Sequence, residues 1–363
     1  MIEAARRAIR EAWARLPVSG PQPEALDYWI DGTGAEKVSV FLLADGATEP
    51  CAVVKMPRTP ADAARLRRAY RLVRRVRDAC PEPLRRSIPE QALVALPGGR
   101  MVVVEEYLPG VSLARRMAER RNGPRAGELL APASAWLTEF SRATSMRVPE
   151  RTIRAGRRLV DREIGEFRSA FRLDPPEDEF LERVRRSCAD WLAAGGALVP
   201  LHGDFEPGNV LLPDVGIGIL DWGFGRPVGL PGHDLLFLLL RFFTRAAGLS
   251  RLQSSGEEYR EMVEQVFWAD TWQSRLARGT LQRYWRQLEL PPAGLDAVLG
   301  IFLVTTANAY YRYLSDRAEW GWLFLPRSDE GLSFREALRE IAYVQLFRHL
   351  ADRRRALLWD RLG

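Results

Sequence analysis

The sequence predicts an α+β protein with two unlike lobes, a β-rich N-terminal lobe and a mainly helical C-terminal lobe. Between residues 27 and 107, short apolar segments of strand character are separated by glycine-containing turns. Beyond them, apolar residues recur mostly at helical spacing, apart from short strands around 198–221. The break Leu108-Pro109-Gly110 separates the two patterns. We therefore expect lobes at residues 1–108 and 109–363.

The composition is that of an ordinary globular protein. Of the 363 residues, 47% are hydrophobic and 28% are charged, which is enough apolar material for a core divided between two lobes. Residues 1–16 form an amphipathic stretch, predicted as a leading helix, without the apolar centre of a signal peptide. The longest apolar run, Leu235 to Leu240, is too short to span a bilayer. We expect a cytoplasmic protein without a membrane span.

The charge and the cysteines argue against two further classes. The net charge of +6 is evenly spread, because residues 1–110 hold 17 basic and 14 acidic residues. Neither half has a strong basic excess, so we expect no nucleic-acid partner. Cys51, Cys80 and Cys188 show no C-x-x-C spacing, which speaks against a disulfide framework or a zinc site. We expect reduced and buried thiols.

Arginine supplies almost all of the positive charge. Only Lys37 and Lys55 are lysines, among 53 basic residues. Seven arginines lie on a predicted helix over 61–79, which Thr59-Pro60 open as N-cap and first-turn proline. We interpret this run as a solvated helix face, with an acidic partner such as phosphate or a membrane surface as the alternative.

The strongest functional signal lies in segment 201–212, the predicted catalytic loop, which reads Leu-His-Gly-Asp-Phe-Glu-Pro-Gly-Asn-Val-Leu-Leu. Asp204 is followed five residues later by Asn209, and a short strand then ends at Asp221. In kinase catalytic loops an Asp and an Asn at this spacing orient a hydroxyl and hold Mg²⁺, and a second Asp follows. Carboxylate and amide oxygens suit this metal. Asp and Asn are also common turn formers. The interpretation as a catalytic loop therefore depends on the second Asp, the flanking strands and the upstream motifs all occurring in the expected order.

His-Gly-Asp-Phe-x-Pro-Gly-Asn followed by Ile-Leu-Asp-Trp resembles the aminoglycoside phosphotransferase and choline kinase family, relatives of the protein kinases. The resemblance extends over about residues 27–240 and implies a two-lobed protein-kinase-like fold and a phosphotransferase that uses ATP and Mg²⁺. It further implies that Asp204 is the catalytic base and that Asn209 and Asp221 are the metal ligands. His202 then supports the catalytic loop, and Asp234 steadies it from the start of a helix.

Two upstream parts match a nucleotide site. Gly32-Thr33-Gly34 lies between two predicted strands, where a glycine loop lets backbone N–H groups approach phosphates, although a plain hairpin turn is the alternative. Lys55 ends the strand Ala52-Val53-Val54, as the kinase lysine that contacts the α- and β-phosphates does. By resemblance, the carbonyl of Glu106 and the amide of Leu108 bind adenine.

One departure from the family concerns the partner of Lys55. The helix after that strand usually carries a glutamate that pairs with the lysine, and here the aligned position is Ala69. Asp62 is the nearest substitute in the sequence. If Lys55 has no partner, a weak or degenerate kinase gains support, so a nucleotide-binding pseudokinase or binding module remains an alternative.

The acceptor is expected against helices at roughly 125–195 and 245–330. The resemblance implies a small-molecule hydroxyl, on an amino alcohol, a sugar or an aminoglycoside-like compound. Tryptophans in these helices fit either a cage for a quaternary ammonium or, more simply, core packing. A second alternative is a metal phosphohydrolase whose ligands are His202, Asp204, His233, Asp234 and Asp270. The choice between ATP and GTP, the acceptor and the oligomeric state stay open.

Overall fold

The structure is a computed structural model that describes residues 2–18, 22–24, 26–31, 37–44, 46–119, 126–146, 149–249, 256–291, 294–316 and 341–353. The chain forms two compact units. The first contains Met1–Leu113, His202–Asp204 and Gly208–Arg226, and the second contains Ala114–Leu201, Phe205–Pro207 and Pro227–Gly363. The predicted lobe boundary at residue 108 stays a prediction, since the first unit also takes up two later segments.

The first unit is built on an antiparallel five-stranded sheet in the order β1-β2-β3-β5-β4. Each predicted strand of this region is present, and the sheet has one further strand, β4, which precedes β5 in the chain. The strands are β1 (Leu26–Asp31), β2 (Lys37–Ala44), β3 (Ala52–Pro57), β4 (Gln91–Ala95) and β5 (Met101–Glu106).

The two faces of this sheet differ in chemistry because side chains alternate along each strand. On one face, Val40, Leu42 and Val54 join a core that also contains Ile9 and Trp13 from the leading segment. That segment is helix α1 (Ile2–Ala12), followed by a short 3₁₀ turn at Trp13–Arg15. The opposite face combines apolar side chains, such as Val103, with the charged side chains of Lys37, Lys55 and Glu105.

Helix α2 (Pro60–Ala79) confirms the predicted basic helix. Thr59 and Asp62 form a capping box, in which each side chain accepts a hydrogen bond from the other residue's backbone N–H, and Pro60 occupies the first turn. The helix buries Leu72, Val73 and Val76. Five of the seven arginines between residues 65 and 77 are exposed, as a solvated face requires. The short helix α3 (Glu82–Arg85) follows.

Short strands surround the predicted catalytic loop. A three-stranded sheet has the order β6-β8-β9, and β7 pairs with β10 in a separate two-stranded sheet. Their bounds are β6 (Val111–Ser112), β7 (Val199–Leu201), β8 (Val210–Leu212), β9 (Gly218–Ile219) and β10 (Arg226–Gly229), with a 3₁₀ turn at Trp222–Phe224 between the last two.

The second unit is helical. The helices at 149–170, 175–193, 294–315 and 342–353 make most of its helix-to-helix contacts, and the helix at 233–246 is buried along nearly its whole length. The helices are α4 (Leu113–Glu119), α5 (Ala126–Thr144), α6 (Pro149–Ala170), α7 (Pro175–Ala193), α8 (His233–Ala246), α9 (Gly256–Phe267), α10 (Trp272–Gln287), α11 (Gly294–Ser315) and α12 (Ala342–Arg353). None of the helices in the described parts of the chain combines the length and apolar character of a membrane span.

The tryptophans and cysteines differ in how deeply they are buried. Trp268 and Trp285 are buried, whereas Trp272 is 40% exposed. Cys80 and Cys188 are buried free thiols and Cys51 is half-buried. The predicted α+β class, with a β-rich N-terminal lobe and a mainly helical C-terminal lobe, is confirmed.

Candidate active site

The predicted catalytic loop joins β7 to β8, and a glycine determines its path. Gly203 has a φ of +78°, in the left-handed region, and a Cβ placed there would lie 2.3 Å from the carbonyl oxygen of Phe224. Any other residue at this position would collide with the 3₁₀ turn that follows Asp221. The glycine therefore lets Asp204 follow directly beside the segment that carries the second aspartate.

His202 joins these two segments. It is fully buried, its Nε2 lies 2.7 Å from the carbonyl oxygen of Leu220, and its Nδ1 accepts a hydrogen bond from the backbone N–H of Asp204 at 3.3 Å. Because Nδ1 accepts, the ring proton belongs on Nε2, which donates to Leu220. The imidazole is thus a neutral connector between Asp204 and the residue preceding Asp221.

Asn209 contacts Asp204 directly. Its Nδ2 donates to the backbone oxygen of Asp204 at 2.9 Å and to the Oδ2 of Asp204 at 3.3 Å. The backbone oxygen of Asn209 accepts a hydrogen bond from the N–H of Leu220 at 2.9 Å. With its nitrogen directed at Asp204, the amide presents its oxygen on the other side, as a metal ligand requires. The structure therefore brings the predicted base and one predicted metal ligand together.

The middle of the catalytic loop is anchored in the second unit. Phe205 is fully buried and stacks on Trp136 with ring centroids 5.6 Å apart. Arg241, from α8, places its Nε 3.0 Å from the Oε2 of Glu206, and both side chains are largely buried. We did not predict Arg241 from the sequence. Its signal was a single arginine inside the apolar run that follows Asp234.

Lys55 has a partner that the sequence analysis missed. Its Nζ lies 2.6 Å from the Oε2 of Glu105, and both side chains are buried. The Oδ2 of Asp62, the nearest substitute in the sequence, accepts hydrogen bonds from the backbone N–H and the Oγ1 of Thr59. The counter-charge comes from the sheet instead of the helix, which explains how Ala69 is tolerated.

Asp221 lies between the short strand β9 and the 3₁₀ turn at Trp222–Phe224, in a left-handed conformation with φ 62° and ψ 68°. Its Oδ1 lies 2.5 Å from the Nζ of Lys37, which the sequence analysis did not assign to the site. Burial by itself raises the pKa of Asp221. The positive charges of Lys37 and, to a smaller extent, Lys55 lower the pKa by more than burial raises it, so the pKa lies well below its ordinary range. The carboxylate is therefore ionised at neutral pH.

The two lysines and their carboxylates line one cleft of the first unit. Lys37, Lys55, Glu105 and Asp221 all contribute to its wall, and so does Ala69. In this arrangement each ammonium group is paired with a carboxylate of the same cleft.

The remaining predicted nucleotide residues are placed as follows. The N–H of Glu106 donates to the carbonyl oxygen of Glu90 at 2.9 Å, which secures the end of β5, and Leu108 follows with its side chain against Gly218. Gly32, Thr33 and Gly34 lie outside the described residues. Asp234, the predicted support, is buried in the first turn of α8.

The donor atoms fit a hard divalent cation. Mg²⁺ is typically held by one or two protein carboxylates, with substrate phosphates and water completing its shell, and the Asp221 carboxylate and the Asn209 amide oxygen are oxygen donors suited to such a cation. Within the described ranges, no group of three or more His, Cys, Asp or Glu side chains is placed to hold a metal ion. This counts against the alternative phosphohydrolase cluster.

Comparison with known proteins agrees with this geometry. The model of the phosphotransferase enzyme family, APH, matches residues 32–291. The amicoumacin kinase hAmiN, solved with AMP-PNP, Ca²⁺ and Ami, is 13% identical, with 100% of this chain and 99% of that chain covered and a TM-score of 0.52. The choline kinase of Cryptosporidium parvum Iowa II is 12% identical, with 100% and 99% covered and a TM-score of 0.53.

No curated protein sequence matches the chain. The two solved structures share its fold, and at these identities the fold is all that they show. The family match, by contrast, spans well over half of the chain. The chain therefore belongs to the phosphotransferase enzyme family and is a small-molecule phosphotransferase with a protein-kinase-like fold.

Proposed function

We propose that this protein transfers the γ-phosphate of ATP to a hydroxyl group of a small molecule. The observation that carries the proposal is the connection made by His202, which joins Asp204 to Leu220, the residue before Asp221. The residues proposed for phosphoryl transfer, Asp204, Asn209 and Asp221, therefore belong to one local structure. In it Asn209 donates a hydrogen bond to Asp204, and Lys37 forms an ion pair with Asp221.

Asp204 is the proposed catalytic base. Its carboxylate orients the acceptor hydroxyl and takes its proton as the phosphoryl group leaves ATP. Asn209 donates to Asp204 and so fixes the direction of the carboxylate. Asp221 and the amide oxygen of Asn209 are the proposed ligands of Mg²⁺, which when bound neutralises charge on the phosphates. Lys55 contacts the α- and β-phosphates.

The adenine contacts are proposed for the backbone that follows β5. The carbonyl of Glu106 and the amide of Leu108 are the groups that bind the base, so side-chain identity matters little there. The glycines at positions 32 and 34 are proposed to approach the phosphates, which agrees with the position of Lys37 at the start of the next strand.

The acceptor is proposed to be a small alcohol, an amino alcohol or a sugar hydroxyl. Two fold relatives are named as an amicoumacin kinase and a choline kinase, and both names describe kinases for small organic molecules. The helices of the second unit are the proposed location of acceptor specificity. We do not assign aminoglycosides specifically, because a chain with a pI near 9.5 is a poor electrostatic match for a polycation.

A pseudokinase is the alternative function. Its main support was the missing helix glutamate at Ala69, and the ion pair between Lys55 and Glu105 removes that support. Phosphoryl transfer by the purified protein separates the two functions.

The first experiment measures the melting temperature with ATP and Mg²⁺, together and separately, because a ligand of the native state stabilises it. We expect a magnesium-dependent rise in the wild type that is lost in Asp221→Asn. Asp214→Asn serves as the matched control, since Asp214 is an exposed aspartate shortly before Asp221, and it should respond like the wild type.

Turnover is then tested with a panel of small hydroxyl compounds and labelled ATP. Asp204→Asn should bind MgATP and transfer no phosphate, whereas an active Asp204→Asn would eliminate this residue as the base. If the wild type binds MgATP but phosphorylates no acceptor and releases no phosphate, the pseudokinase becomes the better description.

A further inference from the structure

Lys37 has no role in the function proposed above, yet it makes the shortest contact of the metal site. Its Nζ lies 2.5 Å from the Oδ1 of Asp221, while Lys55 is held by Glu105. In a chain with two lysines among 53 basic residues, both lysines line the same cleft. Each of them has its own carboxylate, and one of those carboxylates is the proposed metal ligand.

The sheet places the two lysines on one face. Ser39 of β2 pairs with Lys55 of β3, and Lys37 lies two residues before Ser39 on the same side of the strand. Lys37 also opens β2, directly after the segment that holds Gly32 and Gly34. An ammonium at this point therefore lies beside Asp221.

A carboxylate cannot serve an ammonium and a divalent cation equally well. The Nζ of Lys37 occupies one oxygen of Asp221 at hydrogen-bond distance, and its charge repels a cation that approaches the other oxygen. A bound triphosphate changes this balance because it supplies both ligands for the metal and acceptors for the ammonium. Metal and nucleotide then favour each other's binding.

A lysine at position 37 suits a contact with Asp221 that a bound nucleotide can displace. Arginine would bind a carboxylate through two parallel N–H groups and hold it in a fixed orientation, whereas a lysine makes a single point contact on a flexible stem. A lysine is thus the easier group to move from Asp221 to a phosphate. Its presence where this chain otherwise uses arginine is consistent with such a movement.

We propose that Lys37 is a displaceable counter-cation of Asp221, which keeps divalent cations off this carboxylate until a nucleotide arrives and then turns to the phosphates. This inference rests on the proposed function, because it takes Asp221 as the metal ligand. It predicts that metal binding and nucleotide binding are coupled, and that the coupling is reciprocal.

The experiment measures Mn²⁺ binding to the intact protein by electron paramagnetic resonance, first with the metal alone and then with AMP-PNP. We expect weak binding of Mn²⁺ alone to the wild type and to Lys37→Arg. Lys37→Met should bind Mn²⁺ alone roughly tenfold more tightly, in the range of ordinary coupling between sites. The gain should disappear in Lys37→Met combined with Asp221→Asn, which shows that the metal is on this carboxylate.

Arg58→Met is the control for a general loss of positive charge, since Arg58 is exposed just after β3, and it should leave Mn²⁺ affinity near that of the wild type. If Lys37→Met binds Mn²⁺ alone no better than the wild type, while both bind it with AMP-PNP, the role of Lys37 is refuted and the proposed function stands. If no form binds Mn²⁺ even with AMP-PNP, both are refuted.

Discussion

Lys55 and Glu105 form a diagonal pair across two antiparallel strands. Lys55 of β3 lies opposite Val103 of β5, and Glu105 is two residues further along, on the same face. Diagonal neighbours are within reach of long side chains, and the Nζ and Oε2 atoms are 2.6 Å apart. The sheet thus supplies the carboxylate that related kinases take from a helix.

Breaking this pair should affect both stability and nucleotide binding. Glu105→Gln leaves the Lys55 ammonium buried without its counter-charge, and removal of one partner of a buried ion pair costs about 3 kcal/mol. We expect a loss of that size in urea unfolding and weaker ATP binding by calorimetry. Glu49→Gln, an exposed change in the turn before β3, should alter neither quantity. An unchanged ATP affinity in Glu105→Gln would mean that Glu105 does not orient Lys55.

A comparison of Gly203 with Gly216 separates the cost of a steric collision in the catalytic loop from the cost of a positive φ. Both have a positive φ, but a Cβ at Gly203 would collide with the carbonyl oxygen of Phe224, whereas a Cβ at Gly216 meets nothing within 4 Å. Gly216→Ala should cost about 1 kcal/mol of unfolding free energy, for the backbone conformation alone. Gly203→Ala should cost at least about 2 kcal/mol more and abolish turnover. Equal melting temperatures for the two variants would contradict the predicted collision.

The pair of Arg241 and Glu206 should position the catalytic loop. Glu206 lies two residues after Asp204, and its Oε2 is 3.0 Å from the Nε of Arg241. Arg241→Met should lower kcat through misplacement of Asp204 and destabilise the protein by about 3 kcal/mol, because the largely buried Glu206 loses this counter-charge. Combining it with Glu206→Gln should restore much of the stability. Independent, additive losses in this cycle would show that the two side chains do not act as a pair.

The buried thiol of Cys188 should make stability fall at alkaline pH. Burial raises its pKa to about 12 from an ordinary value of 9.0, so the folded state keeps the proton when the unfolded state loses it. The contribution to stability is full below pH 9 and declines as the pH rises from 9 towards 12.

Urea unfolding of the wild type and of Cys188→Ala between pH 7.5 and 10 should test this. The upper pH limit of 10 keeps the measurement below the pKa of the folded-state Tyr284, which burial also raises. Cys188→Ala should be less stable at pH 7.5 by about 1 kcal/mol, since it loses the contact with the carbonyl oxygen of Ala297. Its stability should change less between pH 9 and 10 than that of the wild type. Parallel curves would contradict the raised pKa.

The sequence by itself determined the fold class, the predicted basic helix and the order of the functional parts. These features are local: strand and helix periods, the capping residues Thr59 and Pro60, and the spacing from Asp204 to Asn209 are all written in neighbouring residues. They were predictable because each depends on contacts that the chain makes within a few residues of itself.

Tertiary structure alone decided the charge partners. Lys55 pairs with Glu105, Lys37 with Asp221 and Arg241 with Glu206, and each pair joins residues that are far apart in the chain. Which carboxylate meets which cation depends on strand register and on how loops return to the sheet, and no local pattern encodes either. The partner of Lys55 therefore stayed open at the level of sequence, with Asp62 as the nearest substitute, whereas the fold provides Glu105 from the strand beside it.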